Sequence, residues 1–332
     1  MANKPLIFYP VETLANIGVK EIAITYNPGY LEAVKNLLGD GHEWGLKFTY
    51  VLQEKPIGLA NIVEVCEDFI GGDDFIFHLG DNIFVDGLKE VAEYFRKNRP
   101  NGLITMIHHP QNNRMWVPYF DKRGKLVKNV EKPENPPHDW AVPGVYFADK
   151  NFFKAFKGPE RIKPSPRGEY EITAPFQWLI DHNYKVEAVE YKGKWLDPGK
   201  FDDWIIANEC LLDKNVVTRI DSKLENDTII ENRVAIGKNC RISNSTIRGP
   251  VIIGDGVTIE SSYIGPYTSI CDNVEILSSH VENSVIMENA KISQINVPID
   301  SSLIGAGSVV TNSTTTTRSY KMFVGSKCQI QL

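Results

Sequence analysis

The sequence is short of cysteine, of excess positive charge and of long apolar runs, and each shortage removes a class of protein. Its five cysteines, Cys66, Cys210, Cys240, Cys271 and Cys328, lie far apart in odd number with no C-x-x-C pair. Neither a zinc cage nor a full disulfide framework is indicated, and a reducing cytoplasm fits. A formal net charge of -6 over 332 residues offers no basic face to a nucleic-acid backbone. No stretch approaches the roughly 18 apolar residues of a membrane span, and the opening PLIFYPV is too short and proline-broken for a signal peptide. What is present, 42% hydrophobic and 10% aromatic residues, supplies cores for about two globular domains.

The first part alternates two periodicities. A helix is expected from Asn3 as cap and Pro5 in the first turn, through Leu6, Ile7, Val11, Leu14 and Ile17, to a stop at Gly18. The strand KEIAIT follows, then a helix capped by Asn27 with Pro28 in its first turn and Leu31, Val34, Leu37 and Leu38 at helical spacing. LKFTYVL, the helix GLANIVEVCEDF, FIFHL, the helix GLKEVAEYFRK and LITMIHH continue the alternation. Such a pattern predicts an α/β fold, a doubly wound and mostly parallel Rossmann-like sheet. Residues 115–215 read as mixed, with strands near 115–121, 126–131, 141–148 and 185–191 and helices near 171–182 and 201–212.

After Asp221 a different order takes over. Ile230, Ile236 and Ile242 are six apart; Ile247, Ile253 and Ile259 repeat the spacing after a step of five, and Ile264, Ile270 and Ile276 repeat it again. Each trio marks one 17-residue coil with three short faces, each face pointing one aliphatic side chain inward, which is the hexapeptide signature of a parallel β-helix. An antiparallel sandwich has period two and does not space isoleucines by six. The register loosens after Val281. The polar STTTTRSYK and the strand-like MFVG and CQIQL are expected to cap the last coil. The domains are thus placed at 1–217 and 218–332.

Three places carry candidate chemistry. In FIFHLGDNIF a buried strand ends at Gly80, Asp81 and Asn82, which sets a carboxylate where ligands of open α/β sheets bind; Gly-Asp-Asn is also ordinary turn chemistry. Asp197, in GKWLDPGKFDDW, is a second acid just beyond a strand-like segment. Two such acids can hold a divalent ion whose remaining octahedral positions are filled by substrate phosphates. Glu131 and Lys132, in VEKPENPP, form an acid–base pair at a strand end stopped by Pro133, and a solvated surface pair would look the same.

Together, the segments ANKPLIFYPVETLANIGVKEI, LQEKPIGLA, LGDNIF, VEKP, GEYEIT and WLDPG and the hexapeptide tail resemble, in order and spacing from Ala2 to Leu332, the long form of the glucose-1-phosphate thymidylyltransferases. These are sugar-phosphate nucleotidyltransferases carrying a left-handed β-helix. The resemblance implies a cytoplasmic homo-oligomer acting on dTTP and glucose 1-phosphate with Mg2+. By position, Gln53 and Gly58 match contacts to the nucleotide base, and Asp81 and Asp197 match the magnesium ligands. Asn82, Glu131, Lys132 and Val142 match residues lining the sugar-phosphate site. Asp81 and Lys132 then take the catalytic roles, Lys132 by neutralising a phosphate.

The chain also departs from that family. The family's first strand and its G-G-x-G-T-R-L loop have no counterpart before ANKP, so the sheet is expected to lack a central strand, with a deficit in stability and in triphosphate binding. Trp116 stands at a family glycine, where an inward indole would fill the sugar pocket. Pro143 and Pro198 replace usual threonines, and Ala174 replaces a usual aspartate. Three alternatives stay open: a catalytically silent homologue retained for binding or assembly, a uridylyltransferase, and a hexapeptide acyltransferase with His280 as its base.

Overall fold

The apolar spacing around Val11 and Leu14 folds as α1 (Phe8–Asn16) in the computed structural model, which describes residues 1–225 and 227–312. Asn3 does not cap this helix, whose start has no side-chain cap; the Asn3 amide instead donates to Ile270 O. The chain divides into two units, Pro5–Pro198, and Met1–Lys4 together with the chain from Gly199 onward.

Within the first unit, β1 (Glu21–Tyr26) pairs in parallel with β2 (Lys47–Leu52), Glu21 opposite Lys47. The expected cap at Asn27 is likewise absent. Asn27 O instead accepts from Tyr30 N in a turn through Gly29, whose φ is 87°, and α2 (Leu31–Leu38) begins beyond it. The single helix expected over 58–69 is two short ones, α3 (Leu59–Glu64) and α4 (Glu67–Ile70). The chain continues through β3 (Phe75–His78), β4 (Ile83–Phe84), α5 (Lys89–Asn98) and β5 (Gly102–His108). It then forms β6 (Trp116–Phe120), β7 (Leu126–Glu131), β8 (Trp140–Ala141), β9 (Val145–Ala148), α6 (Thr173–Asp181), β10 (Val186–Glu190) and β11 (Trp195–Leu196).

The larger sheet runs in the order β10-β5-β9-β3. β5 and β10 are parallel, while β9 lies antiparallel between β5 and β3, so β3 and β5 run in the same direction. Every residue of β9 is buried, as a strand covered on both faces requires. Among the described residues β1 pairs only with β2 and β3 only with β9. A cavity of about 580 Å³ separates their open edges, lined by Ile22, Ala23 and Thr25 of β1 and by Ile76, Phe77 and His78 of β3. Among the described residues the sheet is therefore in two pieces.

In the second unit the expected coil is realised residue for residue. Ile230, Ile247, Ile264 and Val281 stack in register on one face; Ile236, Ile253, Ile270 and Ile286 stack on the second; Ile242, Ile259, Ile276 and Ile292 stack on the third. The stacked side chains form one continuous apolar core. Corners fall at residues that tolerate a left-handed backbone, Asn239, Gly256, Asn273, Asn289 and Gly307. A ladder of buried serines joins the coils: Ser262 N donates to Ser245 Oγ at 3.1 Å and Ser279 N to Ser262 Oγ at 3.2 Å. Each of these hydroxyls donates back two residues along its own coil, Ser262 Oγ to Glu260 O at 2.7 Å, so the stack buries no unpaired serine there. The expected boundary at 217/218 sets α7 (Phe201–Asn215) with the α/β part, whereas α7 groups with the coils, and Asn208 donates to Tyr267 O at 3.0 Å. The expected capping segment, STTTTRSYK onward, lies outside the described residues.

Candidate active site

The two acids singled out in the sequence sit at adjoining strand ends. β4 and β11 pair antiparallel with Leu196 opposite Ile83 and Trp195 opposite Phe84. Asp197 directly follows β11 and Asp81 lies in the turn two residues before β4, and both acids are exposed. More than a hundred residues of chain therefore separate two acids that flank one strand pair.

Asn82 joins the pieces. It is 4% exposed, its Nδ2 donates to Asp81 Oδ1 at 2.8 Å, and its Oδ1 accepts from Gly144 N at 3.0 Å and Trp195 Nε1 at 2.8 Å. The side chain that the resemblance sets against the sugar is thus engaged with the strand carrying Asp81, the strand leading to Asp197, and the approach to β9. Gly144 must be small here: a Cβ on it would lie 2.7 Å from Asn82 Oδ1.

A second group forms on β6, β7 and the turn before β9. Trp116 lies opposite Glu131 on one side and opposite Val142 on the other, and Val142 N donates to Trp116 O at 2.9 Å. Lys132 leaves β7 with φ 47°, donates its N–H to Met115 O at 3.0 Å, and holds Nζ 3.7 Å from Glu131 Oε1. Arg167 reaches Glu171 Oε1 at 2.7 Å and Glu131 Oε1 at 3.8 Å. Burial, and then the charge of Glu171, raises the Glu131 carboxyl above its usual range despite Lys132 and Arg167. Tyr146 of β9 stacks against Trp116 at 5.5 Å, and burial first, then the charges of Glu131 and Asp81, drive its phenol up.

The third group is Gln53 and Gly58. Gln53, at the exit of β2, is 5% exposed and donates to Asn61 Oδ1 at 3.2 Å. Gly58 has φ 119°, and a Cβ on it would meet Tyr170 O at 2.4 Å, so only glycine fits this close approach. Tyr170 N donates to Ile57 O at 2.8 Å and Tyr170 O accepts from Ala60 N at 2.9 Å. The next residue, Glu171, belongs to the Glu131 cluster, so the three groups are chained together.

Among the described residues no group of three or more His, Cys, Asp or Glu side chains is arranged to hold a metal. Two carboxylates alone suit an ion that takes most of its oxygen ligands from phosphate and water, as magnesium does. Arg167, Tyr146 and Trp195 were not singled out from sequence. Of the three only Arg167 had a local signal, its position four residues before Glu171.

A family model for nucleotidyl transferases matches residues 1–214. The chain belongs to that family. It is 34% identical over 333 residues to the glucose-1-phosphate thymidylyltransferase of Streptomyces antibioticus, which covers 100% of this chain and 92% of the relative. It is 32% identical over 310 residues to the low-salt glycan biosynthesis nucleotidyltransferase Agl11 of Haloferax volcanii, covering 92% and 85%. A Bacillus anthracis structure assigned as a glucose-1-phosphate thymidylyltransferase superposes with a TM-score of 0.58 at 32% identity, over 64% of this chain and 84% of that one. The fold alone is shared with a UDP-glucose pyrophosphorylase, at a TM-score of 0.55 and 23% identity, over 64% and 88%. This nucleotidyltransferase is an enzyme by family. Among the described residues no helix is long and apolar enough to cross a membrane.

Proposed function

We propose that the chain transfers a deoxythymidylyl group from dTTP to glucose 1-phosphate, releasing pyrophosphate and giving dTDP-glucose. What supports this reading is the pairing of β4 with β11, which starts the one strand two residues after Asp81 and ends the other one residue before Asp197, with Asn82 bonded to both Asp81 and Gly144. A phosphate oxygen of the sugar phosphate attacks the α-phosphorus, a P–O bond forms, and the bond to the β-phosphate oxygen breaks with its electron pair leaving on pyrophosphate. No side-chain nucleophile is needed, so the protein positions groups and neutralises charge. Asp81 and Asp197 would hold the magnesium ion, which when bound supplies charge neutralisation at the reacting phosphates. Lys132, exposed at the end of β7, faces the acceptor phosphate, and Glu131 holds the sugar hydroxyls. Gln53 and Gly58 receive the base.

The test is pyrophosphate release from dTTP plus glucose 1-phosphate in Mg2+, with UTP as the competing nucleotide. D81N and D197N are expected to cut the rate at least about a hundredfold and to weaken Mn2+ binding, read by water-proton relaxation. Undiminished turnover in D81N, or a wild-type chain that binds dTTP without releasing pyrophosphate, would overturn the proposal. Faster turnover with UTP would reassign the base.

A further inference from the structure

The cavity of about 580 Å³ between β1 and β3 runs along strand edges. Successive side chains of a strand point to opposite faces, so a cavity over one face is lined by every second residue. This one is lined without a gap by residues 20–23 and 73–78. Its other walls are helical. Ile76 belongs to the apolar cluster of Leu14 and Phe95, whereas Phe75 and Phe77 belong to that of Val63 and Ile70. All of these line the cavity, so α1 and α5 cover it on one face of β3 and α3 and α4 on the other. The edges themselves are open: β1 is bonded on one side by β2 and β3 on one side by β9, and among the described residues neither has a second ladder. The backbone N–H and C=O groups turned away from those partners face the cavity. His78 adds an acceptor to this wall. Its Nδ1 donates to Leu79 O at 2.7 Å and burial keeps the ring neutral, so its buried Nε2 is an acceptor without a partner.

We propose that this slot is the docking site for an extended apolar strand of a partner polypeptide, which enters between β1 and β3 and forms a ladder with each. A peptide backbone offers donors and acceptors to both edges at once, as in other cases of strand addition. A lipid chain would fill the volume and leave both edges and His78 unpaired. The length of β3, four residues, sets a bound core of about four to six residues. Helices on both faces require apolar side chains in both directions, so the occupant is a continuous run rich in Val and Ile, with no polar alternation. One of its N–H groups donates to His78 Nε2. The slot takes no part in the reading of Asp81 and Asp197 and stands or falls separately from it.

The experiment uses the full chain and a capped, fluorescein-labelled peptide with a short run of alternating Val and Ile between lysine pairs, followed by anisotropy. Saturable binding with a Kd at or below about 100 µM is expected, and the unlabelled peptide should raise the melting temperature. The same peptide N-methylated at alternate amides keeps its apolar area and loses N–H donors, so it should bind at least about tenfold more weakly. His78→Phe should weaken the unmethylated peptide about threefold or more; the methylated peptide on the wild-type chain decides the matter where that variant does not fold. Absence of saturable binding, or equal binding of the two peptides, overturns the proposal. Palmitate that displaces the peptide and itself saturates the chain would assign the cavity to a lipid chain. A dimer by light scattering that the peptide splits would assign it to a second copy, and either result also overturns the proposal.

Discussion

Asn82 offers the sharpest test of how the candidate site is built, because its side chain has two separable duties. As an acceptor it satisfies Gly144 N at 3.0 Å and Trp195 Nε1 at 2.8 Å; as a donor it holds Asp81 Oδ1 at 2.8 Å. Asn82→Ala strands both donors. A buried donor left unpaired costs about 1–3 kcal/mol; the Gly144 amide is wholly buried, while Trp195 is partly open to water. The expected loss is therefore about 2–4 kcal/mol at pH 7.5, measured by urea unfolding followed through tryptophan fluorescence. Asn82→Asp keeps the accepting oxygen but sets a second carboxylate against Asp81. Like charges at this separation raise the folded-state pKa of the pair above the unfolded one, so the penalty is present at neutral pH and is lost as pH falls through the carboxylate range. The Asn82→Ala penalty has only the smaller pH dependence of the lost bond to Asp81. An Asn82→Ala cost below about 1 kcal/mol, or an Asn82→Asp penalty that is the same at pH 7.5 and pH 4.5, would refute the reasoning.

Two further outcomes follow from the same coordinates. His78 lines the cavity between the two sheet pieces, its Nδ1 bonds Leu79 O at 2.7 Å, its Nε2 is buried without a partner, and burial pushes its pKa from 6.5 down to about 4. The unfolded chain takes up a proton below pH 6.5 while the folded ring stays neutral, so stability falls by about 3 kcal/mol between pH 7 and pH 4 on this account; His78→Phe should flatten that part of a pH series of urea midpoints. Ile259 is fully buried at the centre of the Ile242–Ile259–Ile276 row, and Ile259→Ala should cost about 2–5 kcal/mol, visible as a lowered melting temperature; an unchanged melt would show that the row does not carry the coil.

The coil was legible because its information is local and repeated. Each face contributes one isoleucine every coil, so an error at a single position is outvoted by its neighbours, and Ile230, Ile247 and Ile264 line up as their spacing says. The α/β part was legible as a succession of elements and less so in its ends. Asn3 and Asn27 have the chemistry of helix caps, but a cap also needs the backbone to enter the helix at that residue, and Asn27 heads a turn instead. The antiparallel insertion of β9 left no mark, since a fully buried strand reads as an apolar run whichever way it points. Asp81 and Asp197 could be picked out by their strand-end positions; Asn82 as their link could not, because the bond to Trp195 spans 113 residues of sequence.

The break in the sheet constrains how the site holds together. β1 and β2 pack on an apolar cluster around Val11, Leu38, Leu46 and Phe48, while β5 and β9 contribute to another that Ile22 of β1 also touches. No ladder joins the two pieces among the described residues, so Gln53 at the end of β2 reaches the rest of the site by another route. That route includes Gly58, where Tyr170 exchanges backbone bonds with Ile57 and Ala60 and then hands the chain to Glu171 and its Arg167 bridge. Gly58, where an added Cβ would meet Tyr170 O at 2.4 Å, is thus as much a part of the site's assembly as the carboxylates. The Gln53–Gly58 group and the Glu131 group are coupled through the loop before α6, and this explains why a sheet in two pieces still links its candidate residues.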